Sequence, residues 1–218
     1  MGYDKIMINF LPTICQDNFF DEPDKIFNLA KQVSYTQTDA ISGFRSTDTL
    51  QVIDKDLNKY INNKIVKLAY PSLNFKLLNN VSFTAKTHFQ KSNADLHDGW
   101  VHKDEETLTA IIYLTPEETS GTSLFSLKKE YIKPDWQIGM EKYKYFKDRD
   151  KYSNKDKKRV LETKLKHNNH FKKNVSFEGK FNRMICFDSK QWHAAEVCDK
   201  ERLVIISFID NLKENNIK

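Results

Sequence analysis

A change in hydrophobic period near residue 80 sets the strongest limit on the fold of this chain. In "VSFTAKTHFQ", from Val81 to Gln90, apolar side chains take alternate positions, which is the period of a strand with one buried face. "LTAIIYLTP" is more uniformly apolar, as in a strand buried on both faces. Further strand-like segments are "TSLFSL", "NVSFEGKF", "NRMICFDS" and "ERLVIISFID". No helical pattern separates the last three, so an antiparallel sandwich or barrel is predicted.

Two amphipathic helices are predicted ahead of these strands. Asp21 is a plausible N-cap for a helix from about Glu22 to Ser34. A second helix is predicted in "DLNKYINNKIVKLAY", which Pro71 brings to an end. "KIMINFL" alternates like a short strand, "SGFRSTDTLQVID" reads as a loop into a strand, and Gly121 is placed in a turn. The predicted fold class is mainly β with flanking helices, in a single domain spanning residues 1–218.

Positive charge is concentrated in one segment. Residues 126–174 contain 16 Lys and Arg against 7 Asp and Glu, whereas the remainder of the chain is mildly acidic. We predict that residues 128–173 form a partly helical surface insertion within the single domain. Tyrosines among the lysines, such as Tyr143 and Tyr145, would suit nucleic acid, because phosphates need cations and bases stack on rings. An acidic protein partner and a solvated loop fit the same composition.

Several broad classes of protein are disfavoured by the sequence. No stretch approaches the apolar length of a membrane span, and the N-terminus lacks the pattern of a signal peptide. We therefore expect a soluble cytoplasmic protein with no membrane partner. The cysteines, Cys15, Cys186 and Cys198, show no CxxC spacing, which argues against a disulfide framework or a structural zinc cluster.

His102 and Asp104, in "GWVHKDEETLTAIIYL", are a candidate pair of metal ligands. Side chains two residues apart in an extended segment point to the same face and can converge on one ion. His193 is the best third candidate, because it lies between two apolar strands in "CFDSKQWHAAE". The other histidines lie in a strand, a polar loop or the charged insertion: His88, His97, His167 and His170. Two histidines and one carboxylate suit non-haem Fe(II) and leave coordination positions open.

Arg202 opens the apolar strand "RLVIISF", nine residues after His193. An arginine that enters a buried strand must find an anion, and a 2-oxo acid co-substrate would bring a carboxylate that the planar guanidinium binds bidentately. Arg45 in "SGFRS" is either a substrate contact or a solvated surface group. Trp100 and Trp192 each precede a candidate histidine, so alternation directs them away from the metal face and into packing.

These residues, in this order, resemble the 2-oxoglutarate- and Fe(II)-dependent dioxygenases, especially the prolyl 4-hydroxylase-like branch. The resemblance rests on the His-X-Asp pair, the distal histidine and the arginine, together with "AIIYLTP", "GTSLF" and "NRMICFDSKQWHAAE". It covers roughly residues 14–125 and 175–210. The segments "DNFFDEPDKIFNLAKQV" and "GFRS" are also similar to unassigned oxygenases encoded by phages, which would place the protein in a host cytoplasm.

The resemblance implies a double-stranded β-helix, or jelly roll, in which His102, Asp104 and His193 bind iron. Arg202 and Tyr113 would bind the far carboxylate of 2-oxoglutarate. Gln90 would contact either the other end of this co-substrate or the substrate.

Two positions depart from the family pattern. Val204 stands where many relatives have serine or threonine, and Phe208 stands where the nucleic-acid-repair branch has a second arginine. The second departure counts against direct repair of alkylated bases.

The resemblance implies an enzyme that uses dioxygen and 2-oxoglutarate to hydroxylate a C–H bond of a substrate, with succinate and carbon dioxide as co-products. A protein or peptide side chain is favoured over a nucleobase as the substrate. Two alternatives stay open: a non-catalytic jelly-roll binding module, and an oxygenase acting on nucleic acid that the basic insertion docks.

Overall fold

The computed structural model describes residues 12–37, 43–70, 81–92, 99–129, 151–197 and 200–214. Some sequence predictions fall outside these ranges, namely the strand "KIMINFL", Pro71, His97, Cys198 and the tyrosines Tyr143 and Tyr145. Of the helices in the described residues, none combines the length and the apolar character needed to cross a membrane.

Four helices and ten strands lie within the described ranges. The helices are α1 (Pro23–Gln32), α2 (Leu50–Ile53), α3 (Lys55–Ala69) and α4 (Asn154–Asn168). The strands are β1 (Ile14–Gln16), β2 (Tyr35–Gln37), β3 (Phe44–Ser46), β4 (Val81–Ser92), β5 (Leu108–Tyr113), β6 (Thr119–Leu127), β7 (Phe171–Gly179), β8 (Met184–Asp188), β9 (Trp192–Ala195) and β10 (Arg202–Glu214).

The helix boundaries follow local capping chemistry. Helix α1 starts at Pro23, because a proline in the first turn loses no hydrogen bond. Its N-cap is Glu22 rather than the predicted Asp21, and no side chain caps it. Helix α3 begins where the Asp54 side chain accepts a hydrogen bond from the backbone N–H of Leu57, at 2.9 Å.

The segment "SGFRSTDTLQVID" differs from its prediction of a loop into a strand. It contains the short strand β3, which pairs with β4, followed by the four-residue helix α2. The strand forms because Phe44 and Arg45 complete hydrogen bonding along an edge that β4 would otherwise leave unpaired.

The strands form two antiparallel sheets. The larger sheet has the order β1-β8-β5-β10-β4-β3-β2, and the smaller has the order β7-β6-β9. Many paired strands are distant in sequence, such as β4 and β10, so most strand contacts join remote parts of the chain. The described chain is therefore mainly β with flanking helices, as the period of two predicted.

The two faces of the larger sheet are both covered. One face packs on helices α1 and α3, through residues such as Phe89, Ile112 and Ile205. The opposite face turns toward the smaller sheet and forms an interior lined by Ile111, Tyr113, Leu124, Ile185, Phe187, Val204, Ile206 and Phe208. Side chains two residues apart on a strand point to the same face of the sheet. The odd-numbered residues of β5 and the even-numbered residues of β10 up to Phe208 therefore face this interior.

Gly121 lies inside β6 and not in a turn as predicted. The register between β6 and β7 shifts between Thr119 and Thr122, which marks an irregularity of the ladder. A Cβ at position 121 would collide with the backbone carbonyl of Phe177, so only glycine fits this close approach.

Candidate metal centre

Three candidate ligands meet beside the smaller sheet. His102 pairs with His193 as an isolated β-bridge, with backbone N···O distances of 2.9 Å in both directions. Asp104 follows two residues later, and its backbone N–H donates to the carbonyl oxygen of Ser189 at 2.9 Å. One ligand atom from each of the three side chains lies within 4.8 Å of the others. Pairing of the segment around His102 with β9 thus brings together residues that are about 90 positions apart.

Each histidine directs one ring nitrogen toward the group. His102 Nδ1 lies 2.7 Å from the carbonyl oxygen of Trp100, and His193 Nδ1 lies 2.9 Å from that of Gln191. Because a carbonyl oxygen only accepts, each Nδ1 carries a proton, so in a neutral imidazole it is Nε2 that keeps the lone pair a metal ion needs. The Nε2 atoms of His102 and His193 lie 3.6 Å and 3.2 Å from carboxylate oxygens of Asp104.

The Asp104 carboxylate is held in place and ionised. Its Oδ2 atom accepts a hydrogen bond from Thr109 Oγ1 at 3.0 Å, and Thr109 in turn contacts the hydroxyl of Ser189 at 2.8 Å. Burial by itself would raise the pKa of Asp104. The hydrogen bond and positive charge that the imidazoles of His193 and His102 provide when protonated, together with the hydrogen bond from Thr109, outweigh burial and lower the pKa to about 2. The carboxylate is therefore a negative ligand at neutral pH.

Arg202 is buried in the interior without a carboxylate partner. Its side chain is 5% exposed, and Nη1 donates to the carbonyl oxygen of Gly121 at 2.9 Å and to that of Ser120 at 3.4 Å. The Nε atom is buried and has no hydrogen-bond partner. Among the described residues no Asp or Glu lies within ion-pair distance of Arg202, so the guanidinium retains a donor and a positive charge for an anion.

Tyr113 lies next to this arginine. It is fully buried, and its hydroxyl donates to Thr122 Oγ1 at 2.9 Å. Tyr113 pairs with Val204, which lies two residues after Arg202 on the same face of β10. Burial raises the pKa of Tyr113, and the charge of Arg202 acts in the opposite direction. The phenol therefore stays protonated at neutral pH.

The arginine and the three candidate ligands share one interior. His193 is the cross-strand partner of Leu124 on β6, and Thr122 lies two residues before Leu124. Two residues along a strand cover about 7 Å. Arg202 donates to the carbonyl oxygen of Gly121, the neighbour of Thr122, so His193 and Arg202 contact β6 about 7–10 Å apart. This spacing suits a ligand of the length of a five-carbon dicarboxylate.

Gln90 also belongs to the interior, at a different position. It pairs across the sheet with Val204 on one side and with Arg45 on the other. Its Oε1 atom accepts a hydrogen bond from Arg45 Nε at 3.2 Å. Arg45 is therefore a half-buried strand residue and not a solvated loop residue.

Helix α4 of the predicted insertion packs on the segment that carries His102. Asn168 accepts a hydrogen bond from the backbone N–H of Val101 at 3.0 Å, and His167 Nε2 lies 2.7 Å from the carbonyl oxygen of Val101. Trp100, which was predicted to point away from the ligands, packs against His167 with ring centroids 5.9 Å apart.

Sequence reasoning missed several residues that support the site. Thr109, Ser189 and Thr122 orient Asp104 and Tyr113, and His167 with Asn168 fixes the His102 segment. For Thr109 a signal existed, because it shares the alternation phase of Ile111 and Tyr113. The partners of the His102 segment came from helix α4, about 65 residues away, and had no such signal.

The donor set fits one metal ion. Two neutral imidazoles and one carboxylate, with no thiolate, match the preference of Fe(II) and related ions and leave other coordination positions for exogenous ligands. The buried Arg202 fits a ligand that is anionic at its far end.

Solved structures with a similar fold are distant in sequence. A prolyl hydroxylase from Trichoplax adhaerens, in complex with a hypoxia inducible factor peptide fragment, is 12% identical with a TM-score of 0.52, over 91% of this chain and 83% of that chain. A 2OG-Fe(II) oxygenase family oxidoreductase from Burkholderia pseudomallei is 10% identical with a TM-score of 0.55, over 94% and 86%. HygX from Streptomyces hygroscopicus, with nickel and 2-oxoglutarate bound, is 7% identical with a TM-score of 0.55, over 92% and 83%. The likeness confirms the predicted jelly-roll fold class.

The sequence comparisons give a family and no curated relative. A family model described as a family of unknown function (DUF6445) matches residues 5–205. No curated protein matches the chain.

Proposed function

The chain belongs to the family of unknown function DUF6445, and from its fold and its site we propose that it is a 2-oxoglutarate- and Fe(II)-dependent dioxygenase. In this proposal His102, Asp104 and His193 hold the iron, and Arg202 with Tyr113 binds the far carboxylate of 2-oxoglutarate. The structural neighbours named above support the general class through their shared fold.

One observation carries the proposal. Two histidines and an aspartate with converging ligand atoms share an interior with a buried arginine that has no acidic partner among the described residues. A buried metal site alone would fit many functions, and a buried arginine alone would be costly by several kcal/mol. Together they fit a co-substrate that ligates the metal at one end and carries a carboxylate at the other.

The residues of the chain divide the work of binding and orientation. The carbonyl oxygens of Trp100 and Gln191 hold both imidazoles with Nε2 toward the metal. Thr109 fixes the carboxylate of Asp104. The interior side chains of the larger sheet form an apolar wall beside the buried His193, which strengthens charge interactions on that side, whereas His102 stays partly exposed.

When bound, iron and 2-oxoglutarate supply the oxidising chemistry: dioxygen and 2-oxoglutarate convert a substrate C–H bond to C–OH, and yield succinate and carbon dioxide. Within this class, we propose a protein or peptide side chain as the substrate, because Phe208 stands where a second arginine of the nucleic-acid-repair branch is expected. The similarity to phage-encoded oxygenases and the cytoplasmic location stay predictions.

The test is anaerobic reconstitution of the purified protein with Fe(II) and 2-oxoglutarate. We expect the weak visible charge-transfer absorption of the bound pair, and slow succinate formation once air is admitted without substrate. The His102→Ala variant should lose both signals. A matched control, His170→Ala, changes a histidine in the turn just after helix α4 and should keep both. Absence of both signals in the wild-type protein would overturn the proposed function.

A further inference from the structure

A second group of polar side chains faces the same interior, on the strands that lie farther from Tyr113. Gln90 is the cross-strand partner of Val204 and of Arg45, and His88 is that of Ile206. Cross-strand partners point to the same face of a sheet. Because Val204 and Ile206 line the interior, Arg45, Gln90 and His88 face it as well.

Arg45 presents the end of its guanidinium group to this interior. The Nε atom donates to Gln90 Oε1 at 3.2 Å, and the Cζ atom lies 5.2 Å from the ring centroid of Phe208. No other hydrogen bond or ion pair of Arg45 is found among the described residues. The glutamine and the ring fix the plane of the guanidinium, and the two terminal nitrogens keep their donors.

His88 is a buried polar side chain with neither ring nitrogen in a hydrogen bond. It is 7% exposed, and Nδ1 and Nε2 make no well-formed hydrogen bond, although they approach backbone groups of Ser46 and Asp48. Burial lowers its pKa, the charges of Arg45 and Lys86 act in the same direction, and the nearby backbone groups of Ser46 and Asp48 only partly oppose them. The imidazole is therefore neutral at physiological pH and offers one donor and one acceptor beside Arg45. The weak backbone contacts leave this buried group incompletely satisfied, so a ligand beside Arg45 would give it a better partner.

The Arg45 group lies within reach of the metal ligands. Phe208, under the guanidinium, is the cross-strand partner of Thr109, and Thr109 donates to Asp104. One strand spacing plus the ring contact places the guanidinium about 10 Å from the Asp104 side of the site. A ligand that bridges this distance has its anionic group only a few carbon atoms from the position that faces the metal.

The surrounding charges favour a monoanion. The negative charges of Asp104 and Glu106 act on Arg45, and Lys86 is exposed at the same edge. A phosphate dianion would meet repulsion from the two carboxylates, whereas the two oxygens of a single carboxylate match the two terminal nitrogens of one guanidinium fork.

We propose that Arg45, positioned by Gln90 and assisted by His88, binds a carboxylate of the substrate and so holds the reacting carbon at the metal. This inference rests on the proposed function, and it deepens it by naming a carboxylate-bearing substrate. Gln90 then acts on the substrate side and positions Arg45, and does not contact the co-substrate.

The test measures binding of a carboxylate probe, independently of turnover. The protein is loaded with Zn(II) and saturating 2-oxoglutarate, so that Arg202 is occupied, and 4,4,4-trifluorobutyrate is titrated with detection by 19F NMR. The neutral amide of the same acid is the matched ligand control. Arg159→Met, which removes an exposed arginine of helix α4, is the matched protein control.

We expect the acid to bind and the amide to bind at least about tenfold more weakly, because hydrogen bonds to charged groups are worth about 1.5–3 kcal/mol. Arg45→Met should weaken the acid about tenfold or more and leave the affinity for 2-oxoglutarate within about twofold. Arg45→Lys and His88→Leu, as milder variants, should each weaken the acid by a smaller factor. Arg159→Met should change neither affinity. N-acetylglutamate or acetyl-Gly-Glu-Gly-amide should displace the probe, which separates a free acid from a peptide as the source of the carboxylate.

Equal affinity of the wild-type and Arg45→Met proteins for the acid would overturn this inference, as would equal affinity for acid and amide, or displacement by neither competitor. In those cases an intact affinity for 2-oxoglutarate leaves the proposed function standing. Failure of the wild-type protein to bind 2-oxoglutarate at all would instead refute the proposed function.

Discussion

Replacing Arg202 by methionine should affect the stability of the free protein and the binding of 2-oxoglutarate in opposite directions. Burying a charged group costs several kcal/mol. In the free protein this cost is offset only by a short hydrogen bond from Arg202 to the Gly121 carbonyl oxygen and a long one to the Ser120 carbonyl oxygen. Hydrogen bonds to charged groups return about 1.5–3 kcal/mol each. We therefore expect Arg202→Met to leave the free protein as stable as the wild type or more stable, by up to about 2 kcal/mol.

Binding should show the reverse effect. A ligand present at 100 times its dissociation constant stabilises the folded state by about 2.7 kcal/mol. Loss of one partner of a buried charge pair costs about 2–5 kcal/mol. If the affinity falls about 100-fold, the same ligand concentration stabilises the variant by only about 0.4 kcal/mol.

Thermal unfolding with and without 2-oxoglutarate, in the presence of Mn(II), measures both effects. For a chain of this size about 1 kcal/mol corresponds to about 2–4 °C in Tm. The wild-type protein should gain about 5–11 °C and the variant about 1–2 °C. A variant that is clearly less stable than the wild type without ligand, yet keeps the full gain with ligand, would refute the assignment of Arg202.

Three further predictions concern the supports of the site and of the smaller sheet. Thr109→Val removes the hydrogen bond to Asp104 and should weaken Fe(II) binding about 10–100-fold with little change in Tm, as measured by metal titration. His167→Ala removes the contacts of helix α4 with Val101 and Trp100. It should lower the free energy of unfolding in denaturant by about 2–3 kcal/mol and speed amide exchange around Val101. Unchanged exchange there would contradict the packing role. For Glu196, burial opposes ionisation, but an ion pair with Lys173 and hydrogen bonds from two serines lower the pKa to about 2. Because the pKa of Glu196 is lower in the folded state, the stabilisation of the fold by its carboxylate is complete above about pH 4.5 and is lost as the pH falls toward 2. Glu196→Gln should therefore lower the free energy of unfolding by about 1 kcal/mol at pH 7, after allowance for solvent screening, and should have no effect near pH 2.

The basic insertion keeps only part of its predicted character within the described residues. Helix α4 forms, and it packs on the segment that carries His102 through His167 and Asn168. A structural contribution to the metal centre is therefore visible in this helix. Docking of nucleic acid or an acidic partner by the insertion stays a prediction, because it depended on residues such as Tyr143 and Tyr145, which lie outside the described ranges.

The alternation of apolar residues predicted a mainly β fold, because a strand with one buried face must place its apolar side chains with a period of two. The uniformly apolar segments of β5 and β10 carry no such phase, and the inward direction of Tyr113, Arg202 and Phe208 is visible only in the paired sheet. The candidate metal ligands were also visible, because His102 and Asp104 stand two apart in an extended segment.

Long-range pairing decided what the alternation could not. Whether His102 meets His193 depends on a bridge across about 90 residues, and the period of a strand contains no information on its neighbour. Gly121 is a strand residue because β7 approaches it closely, and Arg45 faces the interior because its short strand pairs with β4. The sequence by itself therefore determined which side chains can share a face, whereas the tertiary structure decided which faces meet, since strand pairing is fixed by the packing of the whole sheet and not by the local segment.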